Sequence, residues 1–386
     1  MSIKKMIPKK IVTMAKLIRD CLYRIISFCL SVFPIKENKI VLSNFNGMGF
    51  GDNPKYIAEE LIKRSAFQMY WIANDVNTPL PEYIVPVQRG SLKSLYHVST
   101  AKMWIDNARK DPWYFKRNGQ FYLQTWHGTM ALKKIEKDAE AVLDSIYVKR
   151  AMKDSSMIDL MIADSNFTYN QFTNSFWYDG DVKRLGFPRL DILFRNDAIK
   201  KLREQLNISN DDYVVLYAPT FRNNLRMDVY DLDFKAVSKA FENCTEKKVT
   251  MLVRMHPNLV WILNNAMYDG AIDVTRYPDV YELLLIADVL ITDYSTMMFE
   301  FPIARRKPVF CYAKDKDEYD RGFYFALDDL PFTFSKSNEE LINAIESFDL
   351  SKYSQAVSQF YEEHCVFEDG QSSRRVVDYL MENALS

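Results

Sequence analysis

The sequence predicts an α/β protein built as two doubly wound parallel-sheet domains that face one another across a central cleft. Short apolar segments of strand length alternate with helical stretches along most of the chain, which is the pattern a parallel sheet covered on both faces requires. The alternation runs twice, with a break at Gly186-Phe187-Pro188-Arg189, where Gly and Pro interrupt the periodicity. A chain of 386 residues also exceeds what one ordinary core organises, so about two domains are expected.

In the first series, Lys39 to Phe45 and Phe67 to Ile72 read as buried strands with a helix over Pro54 to Arg64 between them. Met103 to Asn107, Phe121 to Trp126 and Met157 to Ala163 continue it. A polar helix from Asn196 to Leu206 follows the break. The second series holds strands at Tyr213 to Ala218, Val249 to Arg254, Val289 to Thr292 and Val309 to Tyr312. Helices around Phe234 to Phe241, Val280 to Ile286 and Met297 to Ala304 separate them. The expected division is a leader over 1–35, a first domain over 36–195 and a second over 196–386.

The leader differs from the rest. Lys4, Lys5, Lys9, Lys10, Lys16 and Arg19 precede the first acidic residue, Asp20, and an apolar run from Ile25 to Ile35 follows. That run is shorter than the roughly 20 residues a spanning helix needs, and no small-residue cleavage site follows it. Ile11, Met14, Ile18, Cys21, Ile25 and Phe28 fall at helical spacing, which describes an amphipathic helix lying on an anionic leaflet. A helix packed on the body of the protein with solvated lysines is the plainer reading. The odd number of cysteines and the lack of any Cys-x-x-Cys pair read as reduced thiols, hence a peripheral protein on the cytoplasmic face of the membrane. A net charge of −1 with interspersed signs gives no footprint for nucleic acid.

Trp126-His127-Gly128-Thr129 places an imidazole directly after a strand and before a glycine, a position that suits a general base in a cleft. Arg254-Met255-His256-Pro257 repeats the arrangement after another strand, and the chain has only 4 histidines. Thr292-Asp293-Tyr294-Ser295-Thr296 runs from a strand into a helix, offering hydroxyls and free amides to a phosphate; Ser295 serves equally well as a plain N-cap. Glu300, a turn further along, is read as a ribose acceptor or an exposed helical glutamate. Arg222, Arg254 and Arg321 stand at strand ends or in loops, where guanidinium groups could neutralise a diphosphate without a metal. Asp231-Leu232-Asp233 and Asp315-Lys316-Asp317 signal a metal only weakly, so neither metal nor cofactor is expected. Walker A, Gly-x-Gly-x-x-Gly and Gly-x-Ser-x-Gly patterns are absent.

Together these motifs resemble the CDP-glycerol glycerophosphotransferase family of teichoic acid synthesis. The resemblance runs through Trp126-His127-Gly128-Thr129, Leu132-Lys133, Asp138, Ala163-Asp164-Ser165 and Gly186-Phe187-Pro188-Arg189. It continues in Tyr217 to Arg222, Arg254 to Pro257, Thr292 to Thr296, Arg321-Gly322-Phe323-Tyr324 and Asp369-Gly370. It implies a GT-B arrangement of two Rossmann-like domains, with CDP-glycerol on the C-terminal domain and a polyprenyl-pyrophosphate-linked saccharide on the N-terminal one. It also implies transfer of glycerol phosphate to an acceptor hydroxyl with release of CMP. His127 is then the base; Arg222, Arg254, His256, Ser295, Thr296 and Arg321 hold donor phosphates, Glu300 holds ribose, and Gly128, Thr129 and Asp293 support them. The two histidines could exchange roles. The chain's length, close to one catalytic module, favours priming or short extension. The rival readings are a CDP-ribitol-using transferase or polymerase, a nucleotide-sugar glycosyltransferase, and a catalytically silent nucleotide-binding protein.

Overall fold

In the computed structural model the described residues are 9–222, 227–256, 268–316 and 322–385, with side chains from residue 14 onward. The first series forms a parallel sheet of β1 (Lys36–Ser43), β2 (Gln68–Ala73), β3 (Ile84–Gln88), β4 (Ala101–Asp106), β5 (Phe121–Gln124), β6 (Leu160–Ile162) and β7 (Asp181–Lys183). Its order is β3-β2-β1-β4-β5-β6-β7. The second sheet holds β8 (Tyr213–Tyr217), β9 (Val249–Val253), β10 (Ile272–Asp273), β11 (Val289–Thr292), β12 (Val309–Tyr312) and β13 (Thr333–Ser335), in the order β10-β9-β8-β11-β12-β13. Both are parallel throughout, so the α/β class with two Rossmann-like doubly wound units stands.

Burial explains the composition of the strands. Ile40, Val41 and Leu42 in β1 and Met103, Trp104 and Ile105 in β4 are each 0% exposed, because helices cover both faces and leave neither to water. In β8 the two-residue period divides the side chains: Val214 and Leu216 enter the core shared with the first half, Val215 and Tyr217 the core on the far face. The helices are α1 (Lys9–Leu30), α2 (Asp52–Arg64), α3 (Leu92–Thr100), α4 (Ser145–Ser155), α5 (Asn166–Ser175), α6 (Ile199–Gln205), α7 (Phe234–Thr245), α8 (Val280–Ile286), α9 (Met297–Glu300), α10 (Asn338–Glu346), α11 (Leu350–Glu363) and α12 (Ser372–Asn383).

Two helices depart from a simple division along the chain. α12 crosses back to lie on α2 and on the turn Pro188–Phe194 of the first half. Val376, Val377 and Leu380 are fully buried there, and Asp191 caps the helix by accepting from the Ser372 and Ser373 amides at 2.8 and 2.7 Å. α1 packs one side on the first half through Ser27, Tyr23, Ile26 and Leu30. Its other side leaves Met14, Leu17, Ile18, Leu22, Ile25 and Phe28 exposed, each by more than half. Among the described residues no helix is long and apolar enough to cross a membrane.

In each sheet the order reverses once, between β1 and β4 and between β8 and β11. The loops leaving adjacent strands diverge at such a switch point and open a crevice beyond the strand carboxyl ends.

Candidate active site

At the first switch point, Asn44 follows β1 and Asn107 follows β4, and their side chains bond at 2.8 Å. The Asn107 carbonyl lies 2.6 Å from Nδ1 of His127. A carbonyl only accepts, so Nδ1 carries the proton and the neutral ring presents its lone pair at Nε2. Burial, with the charge of Arg189 as a lesser contribution, lowers the pKa of His127, opposed by the Asn107 carbonyl and by the charges of Asp52 and Glu136. The ring stacks on Trp126 with centroids 4.4 Å apart and lies 5.1 Å from Phe45. Trp126 takes a left-handed backbone conformation, φ 55°, and its amide donates to the Gln124 side chain at 2.9 Å.

At the second switch point, the Thr220 amide donates to Asp293 at 2.9 Å and the Thr292 hydroxyl to the Ala218 carbonyl at 2.7 Å. The helix expected over Met297 to Ala304 stops at Glu300, because Pro302 has no N–H to continue it. Its dipole is correspondingly short, but the amides of Ser295 and Thr296 donate to no carbonyl among the described residues. The Ser295 hydroxyl accepts from the Met297 amide at 3.3 Å, so it does act as a cap.

The two switch points meet at Gly128. A Cβ there would lie 3.2 Å from Cγ2 and 3.3 Å from Oγ1 of Thr296, so a side chain after the histidine would crowd the second wall. Beyond it, Leu132 to Lys134 pair with Gly322 to Tyr324 across the cleft: the Tyr324 amide donates to Leu132 at 2.9 Å and the Lys134 amide to Gly322 at 3.1 Å. Lys133 thereby reaches the second wall, its Nζ 3.5 Å from the Thr220 hydroxyl and 5.6 Å from the centre of the Tyr294 ring. His256 lies on that wall with its ring 5.4 Å from Phe221. Burial, then the positive charges of Arg254 and Lys133, lower its pKa. Arg254 is held by carbonyls, its Nη1 donating to Tyr277.

Two assignments change, those of Arg222 and Glu300. Arg222 is buried and its guanidinium is consumed internally, by Asp315 at 2.7 and 3.0 Å, Asp293 at 2.9 Å and Thr220 at 2.7 and 2.9 Å. It clamps the loops behind the site and cannot also bind a phosphate. Asp293 is correspondingly a backbone anchor, accepting from the Thr220 and Tyr294 amides. Glu300 is 0% exposed, with its carboxylate taken by Arg189 and Tyr281, both at 2.8 Å, and the Thr129 amide at 3.3 Å. It faces no ribose. Thr129 is equally internal, its hydroxyl donating to Asp164. Arg321 lies outside the described residues.

The weak metal pairs have other partners. Asp231 accepts from the Tyr312 hydroxyl at 2.8 Å and pairs with Lys314, Asp233 caps α7, and Asp315 holds Arg222. Asp317 lies outside the described residues. Among those described, no group of three or more His, Cys, Asp or Glu is arranged to hold a metal ion.

Sequence reasoning did not single out Asn107, Asp52, Asn53 or Lys133 as site residues, and read Arg189 only as part of the domain join and of a motif shared with the family, without a role in the site. The available signal for Arg189 was a basic residue closing the Gly-Phe-Pro break, directly ahead of Leu190-Asp191-Ile192-Leu193-Phe194. For Asn107 it was an asparagine directly after a buried strand.

A family model for CDP-glycerol:poly(glycerophosphate) glycerophosphotransferase matches residues 25–382. The chain is 33% identical over 385 residues to a teichoic acid glycerol-phosphate transferase of Staphylococcus aureus, covering 94% of this chain and 97% of that one. It is 31% identical over 395 residues to a teichoic acid poly(glycerol phosphate) polymerase of Bacillus subtilis, covering 96% of this chain but 52% of the polymerase, about half its length. Among solved structures, the wall teichoic acid polymerase TagF soaked with CDPG superposes with a TM-score of 0.83 at 28% identity, over 98% of each chain. With the matched model spanning nearly the whole sequence, the chain belongs to the CDP-glycerol:poly(glycerophosphate) glycerophosphotransferase family.

Proposed function

We propose that the chain transfers glycerol phosphate from CDP-glycerol to a hydroxyl of a polyprenyl-pyrophosphate-linked saccharide or short glycerol-phosphate acceptor. The acceptor oxygen attacks the phosphorus that bears glycerol, the bond to the bridging oxygen of the diphosphate breaks, and CMP leaves. The observation that carries this reading is the contact at Gly128: a histidine with its lone pair on Nε2 adjoins a turn whose amides at Ser295 and Thr296 are free for phosphate oxygens.

His127 takes the hydroxyl proton as the new bond forms, and the charge of Asp52 favours the imidazolium that results. His256 suits the opposite task. Beside Arg254 and Lys133 a further positive charge is disfavoured, so it donates one hydrogen bond to the donor as a neutral ring. Arg254, Lys133 and the two amides carry the diphosphate charge, with no divalent ion required. The exposed apolar side of α1 and the basic residues before it support a peripheral seat on an anionic membrane at the cytoplasmic face, where a lipid-linked acceptor would be presented.

The test is incubation of the full chain with CDP-glycerol and a defined lipid-linked disaccharide, followed by mass measurement of the product. A mass increase of one or more glycerol phosphates with matching CMP is the expected result. Turnover with CDP-ribitol or a nucleotide sugar instead would reassign the donor, and no turnover with any of them would leave a nucleotide-binding protein.

A further inference from the structure

We propose that Glu300 and Arg189 are positioning residues that set His127 against the phosphate-facing turn, an inference that rests on His127 being the base. Arg189 lies in the turn after the first sheet and Glu300 on α9 of the second, and both are 0% exposed. Their ion pair, Arg189 Nη2 to Glu300 Oε1 at 2.8 Å, therefore joins the two halves of the molecule in their shared interior. The Arg189 guanidinium lies 4.6 Å from the Phe187 ring centre and 5.5 Å from that of Tyr281, and its Nη1 reaches Asp52 at 3.3 Å.

The backbone on each side of His127 is tied to this pair. Ahead of it, the Trp126 carbonyl accepts from Nδ2 of Asn53 at 3.4 Å, while Oδ1 of the same asparagine accepts from the Arg189 amide at 3.1 Å. After it, the Thr129 amide donates to Glu300 itself. Trp126 is a bulky residue in the left-handed region, a conformation that persists only where its surroundings over-determine it. Glu300 also follows Ser295 and Thr296 by about one helical turn, so its carboxylate ties the histidine loop to the short helix that the facing turn leads into. An apolar pair of similar volume often stabilises a core as well as a buried ion pair does. Directional hydrogen bonds to the Thr129 amide are what such a pair would not supply.

The test uses the full chain with Glu300→Gln and Arg189→Lys, each also combined with His127→Ala. Readouts are CMP release from CDP-glycerol, calorimetric affinity for CDP-glycerol, thermal melting, and the imidazole ¹⁵N signals of histidine-labelled protein. A displacement of about 1 Å at a reacting group costs up to about 100-fold. Glu300→Gln is expected to lower kcat about 10- to 100-fold, leave donor affinity within about threefold, and shift the His127 signals. It should add no further loss to His127→Ala. Arg189→Lys, which keeps one charge and fewer bonds, should fall between wild type and Glu300→Gln.

Donor affinity weakened more than about tenfold would show that Glu300 touches the nucleotide. A loss that multiplies with that of His127→Ala, or a wild-type kcat in the folded variant, would equally overturn the proposal. A wild-type chain that releases no CMP from CDP-glycerol is a failure of the functional reading alone. The ¹⁵N signals then still decide positioning: unchanged His127 resonances in both folded variants refute it.

Discussion

Gly128→Ala probes the contact between the two halves of the site by a single methyl group. The glycine's φ lies outside the left-handed region, so an alanine meets none of the strain of that region and the chief effect is that of the added carbon. That carbon would sit 3.2 Å from Cγ2 and 3.3 Å from Oγ1 of Thr296. Ordinary carbon contacts fall at about 3.5–4.0 Å, so one wall must retreat by a few tenths of an ångström. Overpacking of this kind costs about 1–3 kcal/mol. Carried by the closed cleft, that cost lowers kcat/KM about 5- to 150-fold, at one decade per 1.36 kcal/mol. Melting temperature should hardly move, because the contact lies at the rim of the shared core. Thr296→Ser removes the nearest atom and keeps the hydroxyl, so the double variant should recover most of the rate. Initial rates of CMP release, with melting curves in parallel, provide the measurement. A Gly128→Ala enzyme within about twofold of wild type, or a double variant that recovers nothing, would refute the view that these walls touch during turnover.

His127→Ala should reduce CMP release at least about 100-fold with little change in melting. Because burial lowers its pKa and the base must be neutral, kcat/KM should be flat near pH 7 and fall only below the usual imidazole range of about 6.5. The same shift has a stability sign: the unfolded chain binds this proton first, so the contribution is complete above about pH 6.5 and is lost as pH falls toward the folded-state pKa. Arg222→Ala should act chiefly on folding, lowering stability by about 3–5 kcal/mol because Asp293 and Asp315 lose their buried partner; an unchanged melting curve with weakened donor binding would return Arg222 to phosphate contact. Ile18→Gln combined with Phe28→Gln should release the chain from anionic liposomes while sparing turnover on a water-soluble acceptor, and retention on the liposomes would assign the anchor to another surface.

The interior strands were legible to within a few residues because each is a continuous apolar run with no competing period. Those that escaped, β3, β7, β10 and β13, are the sheet edges. β3 carries Pro86, and β10 is only Ile272–Asp273 with both residues exposed, so neither reads as buried. The histidine loop was legible for the same local reason: a strand, a reactive side chain and a glycine stand consecutively. The roles of the charged residues were not. Arg222 and Asp315 are separated by 93 positions, and Arg189 and Glu300 by 111. Nothing in a local pattern distinguishes an arginine aimed at a ligand from one aimed at a distant aspartate.

Withdrawing Arg222 and Glu300 from the cleft changes which groups meet the donor. Lys133 comes from the first half and Arg254 from the second, and both act on His256 with the same sign, so the cleft gathers like charges that repel. On the proposed function a diphosphate bound between them would supply the opposite charge and favour the close approach seen at Gly128. His256 should report this directly. Its pKa, lowered in the free chain, should rise when CDP-glycerol binds, because each added negative charge opposes the field of Arg254 and Lys133. A ¹⁵N titration of histidine-labelled protein with and without donor reads the change. Lys133→Met should raise the free-state value by removing one of the two opposing charges. A His256 titration that is the same with donor present and absent would place the diphosphate elsewhere and remove His256 from its binding.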